Sequence, residues 1–175
     1  MLDFGGTRVE MDSALAMLSE VERRTADLRL VFMGPIDASV TTFFEEQFAT
    51  QGARGGTPWA PVSELTSKLR GRPGHGHEGP NAILRDANVL WGSYVKSGGP
   101  DSVRVIEPQE YVRGSAAPYA PAHQKAREIT KLFGRPLANP KTAPARPVVP
   151  EAMPDDLIKS WESMILKHLT VPGQA

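Results

Sequence analysis

His75, His77 and Glu78 are the one local set of side chains in this chain with metal-ligand chemistry. Two imidazoles one residue apart can share a divalent ion in an extended segment, and a nearby carboxylate can add an oxygen. A metal-dependent hydrolase would be built on those three. A fourth ligand would have to come from elsewhere, with His123 and His168 the remaining imidazoles, and the flanking glycines make ordering the loop costly. The segment therefore reads first as a solvated loop that becomes ordered against a neighbouring subunit, and no metal is expected. Tyr119, His123 and Gln124 are the second chemical cluster, since His titrates near neutrality and Tyr can donate a proton. No carboxylate lies within a few residues of His123 and no Gly-x-Ser-x-Gly elbow is present, so a hydrogen-bonded corner spanning Pro118 to Gln124 is the expected role.

Arg70, Arg72, Arg85, Arg113, Arg127, Arg135 and Arg146 could meet phosphates if they shared one face, which would make the protein a DNA-binding adaptor. Acidic neighbours such as Asp86 and Glu128, and the lack of interleaved aromatics, favour salt bridges between subunits. Arg146 and Pro147 lie in Pro144-Ala145-Arg146-Pro147, where a proline-stiffened arm would dock with little entropy loss and its guanidinium could fork onto a neighbour's carboxylate. Arg70, Arg72, Arg146 and Pro147 are thus the expected assembly contacts.

The charges cancel, 20 basic against 20 acidic residues, so the overall field gives no argument for wrapping nucleic acid or binding an anionic membrane. The absence of cysteine removes disulfides, thiolate zinc sites and thiol nucleophiles, and fits maturation in a reducing cytoplasm. No stretch approaches the ~18 unbroken apolar residues of a membrane span. At 175 residues, 40% of them hydrophobic, the chain suits one domain that buries roughly 70% of its unfolded surface.

Glycine and proline, sixteen of each, cluster in two places. Residues 70–80 read as an exposed loop excursion, and residues 134–154 as an extended, polyproline-like arm. Elsewhere the hydrophobic periods are legible. Ala14, Leu15, Leu18 and Val21 predict a helix over 13–22 with one buried stripe, capped by Asp12 or Ser13. Ile36, Val40, Phe43, Phe44 and Phe48 predict a longer helix with Pro35 in its first turn. Leu90–Val95 and Val103–Ile106 predict an antiparallel strand pair across a turn-rich segment. Leu157, Trp161, Met164, Ile165 and Leu169, after Asp155 and Asp156, predict a C-terminal helix over 155–169. Trp59 should anchor the turn after the long helix by burial between helix and sheet. The fold class is α+β: a small antiparallel sheet packed with a long helix of the N-terminal half and a C-terminal helix, plus long extended loops.

The order of these features resembles the phage virion morphogenesis, or tail completion, family. The resemblance is carried by Phe48, Gly52, Gly55, Gly56, Pro58, Trp59, Val62, Ser63 and Thr66, then Lys68, Arg70 and Arg72, and Ile83-Leu84. Tyr119-Ala120 with His123-Gln124, and Pro144 to Pro147 ahead of an acidic helix start, complete it over roughly residues 10–169. Lys125-Ala126, where the family often has glycine after His-Gln, and Asp86 to Leu90, where it often has Thr-Gly-x-Leu, depart from the pattern. The resemblance makes residues 1–175 a single such domain and implies a structural virion protein without catalysis or cofactor. It would act at the neck or the head-proximal end of a tail, most simply as a hexameric ring. Its expected partners are copies of itself, a tail terminator or tail tube protein, a head-tail connector and, in passing, genomic DNA. It would be found in the virion, after assembly in the host bacterial cytoplasm.

Overall fold

Phe43, Phe44, Gln47 and Phe48 are almost fully buried on one face of the central helix, and the rest of the chain is arranged around that face. The computed structural model describes residues 5–71, 79, 81–132 and 135–170. The chain opens with α1 (Gly5–Ala26), followed by one turn, α2 (Arg29–Val31), which runs through a π-helical segment (Phe32–Ile36) into α3 (Asp37–Ala49). Pro35 therefore lies inside a continuous helical rod and not in its first turn. A proline has no N–H for the α-helical ladder, and the wider turn accommodates that loss by letting the Asp37 amide reach back to the Phe32 carbonyl.

After α3 a short 3₁₀ turn (Ala53–Gly55) leads to α4 (Glu64–Arg70), which Ser63 caps by accepting a hydrogen bond from the Thr66 amide. Next comes α5 (Val89–Val95), where a strand was expected. Leu90, Ser93, Tyr94 and Val95 are buried, a spacing of three to five residues that suits one helical face, and the Ser93 hydroxyl donates to the Leu90 carbonyl at 2.8 Å. A short apolar run cannot show by itself which period it obeys. The expected second strand does exist as β1 (Ser102–Glu107), but it pairs forward with β2 (Glu110–Ser115) across Pro108 and Gln109. Ser102 stands opposite Ser115 and Glu107 opposite Glu110.

A single helical turn, α6 (Pro121–Gln124), precedes a second antiparallel ribbon, β3 (Arg127–Leu132) and β4 (Arg135–Ala143). The first part of the expected polyproline arm is thus a hairpin strand. Pro136 and Pro140 are tolerated because a two-stranded ribbon has only edge strands, and the register is interrupted between Ile129 and Lys131. Its described residues are mostly exposed, and its principal packing is between its own two strands. The chain ends its described part with α7 (Asp155–Thr170), close to the expected bounds.

The molecule is α+β, with two small two-stranded antiparallel sheets and N- and C-terminal helices in contact. In the core α3 packs on α5, which packs on β1 and β2. Phe44 meets Tyr94 at 4.9 Å between ring centroids, and Phe48 meets Trp59 edge-on at 5.4 Å. Leu157 closes the core from α7, where Trp161 donates to the Ser39 hydroxyl at 3.1 Å.

The expected buried stripe of the first helix is not buried. Ala14, Leu15 and Leu18 are exposed, and every residue from Met11 to Ser19 is open to solvent. The C-terminal part of α1 meets the body, where Arg24 donates to the His168 carbonyl of α7 at 2.9 Å. The periodicity was real, but among the described residues no element covers it.

Candidate functional site

The residues that carry the family resemblance converge in two adjoining places. The first is a clamp on the segment 145–148. Gly52 sits at φ +92°, a conformation L side chains rarely adopt, and a Cβ there would lie 2.5 Å from both the Trp59 ring and the Thr57 carbonyl. The glycine lets the tryptophan fold back over the end of α3, and the Trp59 amide donates to the Gln51 carbonyl at 2.7 Å. The indole Nε1 then donates to the Pro147 carbonyl at 2.8 Å. Gln47, only 1% exposed, accepts from the Gly55 amide at 2.7 Å and donates towards the Pro147 and Val148 carbonyls at 3.3 and 3.4 Å. A buried amide with both ends satisfied holds turn and segment together. Gly56, also at positive φ (+82°), supports the turn with open space around its Cα.

This corrects the expectation that Arg146 and Pro147 ride on a projecting arm. Arg146 donates from Nε and one terminal nitrogen to the Ala60 and Pro61 carbonyls at 2.8 Å each, and its amide donates to the His123 carbonyl at 2.7 Å. Val148 is fully buried. The segment returns to its own chain because a tryptophan and a buried glutamine supply donors for its carbonyls.

The second place is a cavity of about 270 Å³ between α4, α5 and α6, bordered by Arg70, Asp86, Tyr119, His123 and Arg146 with Leu84, Val89 and Leu90 as apolar wall. Arg70, on the last turn of α4, donates to the Ala82 carbonyl and stands 3.6 Å from the Asp86 carboxylate. Burial lowers the Arg146 pKa from its ordinary value, and the nearby Arg70 charge adds to this. Burial likewise holds the His123 imidazole below its usual pKa, with Arg127 and Arg146 pushing the same way, so it is neutral at neutral pH. Tyr119 meets His123 edge to face at 6.3 Å, and burial raises the Tyr94 pKa against a smaller lowering influence of Gln124.

Asp37, and the place of Asp86 beside His123, escaped the sequence reading. Asp86 lies thirty-seven positions from His123 and only the fold brings both to one cavity. Asp37, at the start of α3, accepts from the Tyr111 hydroxyl at 2.6 Å and from Arg104 at 3.0 and 3.1 Å, with Arg113 at 3.6 Å. Burial pushes its pKa up, but the hydrogen bonds from Arg104 and Tyr111 and the two arginine charges outweigh that and hold it below the ordinary carboxylate value. An acid in the first turn of a helix was a visible signal, but its partners were not.

Among the described residues the arginines do not serve one common surface but separate jobs. Arg113 donates to the Tyr94 and Val95 carbonyls, Arg54 bridges Glu46 and Asp156, and Arg85 lies over the Trp91 ring. Arg72, His75, His77 and Glu78 fall outside the described residues. Among the described residues no group of three or more His, Asp or Glu could hold a metal, and no helix is long and apolar enough to cross a membrane.

No curated protein and no solved structure matches the chain. The model of the phage virion morphogenesis family matches residues 9–170, which span the clamp, the cavity and both terminal helices. The chain belongs to the phage virion morphogenesis family.

Proposed function

We propose that this virion morphogenesis protein is a non-catalytic structural part that acts in tail completion or head-tail joining, as a closed ring at the head-proximal end of the tail. Six copies are the expected number. A tail terminator or tail tube protein would lie on one side, a head-tail connector on the other, and genomic DNA would pass through the centre.

The observation that carries this reading is the uncovered half of α1. Met11, Leu15, Met17 and Leu18 are 57–65% exposed. An isolated helix of this length is marginal in water, so it needs a surface to lie on. The four side chains leave several hundred Å² of apolar surface, about the size at which a patch marks an interaction site. The occupant we assign is a second copy of the chain, whose Leu30 and Met33, one helical turn apart, are also more than half exposed. Laying one α1 on that pair of the next copy is a head-to-tail contact, the kind that closes into rings. It would bury on the order of 1,000 Å² in total, the lower bound for a specific interface.

Native mass spectrometry with negative-stain imaging tests the proposal. Wild-type protein should form closed rings, and Leu15→Asp with Leu18→Asp should give folded monomers, as should Leu30→Asp with Met33→Asp. Mixing the two variants leaves one intact contact and should give dimers that grow no further. A wild-type chain that stays monomeric at high concentration, or variants that still assemble, would refute the contact.

A further inference from the structure

Among the described residues, the cavity bordered by Arg70 and Arg146 holds more positive than negative charge: two guanidiniums and one carboxylate, Asp86, with His123 neutral. Arg146 is only partly exposed, and the hydrogen bonds it makes go to backbone carbonyls. Carbonyls satisfy N–H groups without cancelling the unit charge, and an uncompensated charge taken out of water is costly. Leu84, Val89 and Leu90 give the cavity an apolar wall, of which Val89, like Tyr119, is exposed.

We infer that this cavity is a socket for a glutamate or aspartate side chain presented by another polypeptide, with the acid's apolar stem on the Val89–Leu90 wall and its carboxylate between Arg70 and Arg146. The volume, about 270 Å³, readily admits an acidic side chain. Asp86, already 3.6 Å from Arg70, disfavours the more highly charged phosphate of a nucleic acid more than it disfavours a single carboxylate. The socket concerns a different face from the α1 contact and stands whatever the copy number of the ring.

The test uses the full-length chain and a capped pentapeptide, acetyl-Gly-Leu-Glu-Leu-Gly-amide, followed through the His123 imidazole resonances. The glutamate peptide should shift them saturably, and the glutamine analogue should bind at least about tenfold more weakly, because it lacks the charge. Asp86→Asn removes a competing negative charge and should tighten binding about threefold or more, a gain that mere damage to the fold would not produce. Val89→Glu, at the exposed residue of the wall, should place an acid on the chain itself and abolish binding while the far-ultraviolet spectrum stays unchanged. Equal binding of the two peptides, no shift at His123, or weaker binding by Asp86→Asn would overturn the assignment. So would stronger competition by inorganic phosphate or by a short DNA duplex than by the peptide, which would mark the cavity as a phosphate site. Loss of the socket with intact rings would leave the assembly proposal standing, and the reverse would leave the socket standing.

Discussion

Replacing Gly52 by alanine isolates the backbone geometry on which the clamp depends. Two glycines of the same turn have nearly the same dihedral angles, φ +92° at Gly52 and φ +82° at Gly56. For both, a Cβ in left-handed geometry costs about 1–2 kcal/mol. At Gly56 nothing lies within 4 Å of the new atom, so Gly56→Ala should cost that and little else. At Gly52 the new atom would be 2.5 Å from the Trp59 ring and 2.5 Å from the Thr57 carbonyl, and neither is the end of a flexible side chain. The ring must move, which loosens its edge contact with Phe48 and its bond to Pro147, and overpacking of this kind adds about 1–3 kcal/mol. The expected difference between the two variants is therefore about 2 kcal/mol, or roughly 4–8 °C in Tm for a chain of this length. Urea and thermal unfolding of both variants, with near-ultraviolet circular dichroism to report on the tryptophan, measure it. Equal losses at the two glycines, or an unchanged tryptophan signal in Gly52→Ala, would refute the argument that close approach of the indole makes that position require glycine.

Trp59→Phe keeps the apolar bulk but removes the donor to Pro147, and should cost about 1–2 kcal/mol in urea unfolding because the carbonyl retains Gln47 as a long-range partner. Asp37→Asn keeps one acceptor oxygen for Tyr111 but replaces the oxygen that accepts from the second Arg104 nitrogen by an NH2 donor and removes the charge between Arg104 and Arg113, and should cost about 2 kcal/mol. Because the folded-state pKa of Asp37 is depressed, its contribution is present above the unfolded value near 3.8 and lost as pH falls through the folded value, so Asp37→Asn should flatten the acid limb of a stability-pH curve. His123 also has a depressed pKa, so the unfolded chain takes up its proton first and stability should fall as pH drops below about 6.5. Titration of the His123 resonances checks the direction, and Arg146→Gln should raise the value. Deleting residues 1–18 should leave the cooperative unfolding of the body nearly unchanged, since Met11 to Leu18 are exposed, while removing self-association; a large drop in Tm would show that α1 is part of the core.

Local pattern determined what can be encoded within a few residues. The acidic start and apolar face of the C-terminal helix, the Phe43-Phe44-Phe48 face of the central one and the turn that Trp59 anchors were all legible, because helix starts, periods and turns are properties of neighbouring residues. The order of those motifs also pointed to the family that the chain belongs to. Tertiary structure decided the rest. Val89–Val95 became a helix because Ser93 and Tyr94 found buried places against β2 and α3, which freed β1 to pair forward. Pro144 to Val148 turned inward because Trp59 and Gln47, some ninety to a hundred positions away, reach its carbonyls. The α1 stripe stayed uncovered although its period promised burial, because periodicity states that a face is apolar and only the arrangement of the other elements states what, if anything, lies against it.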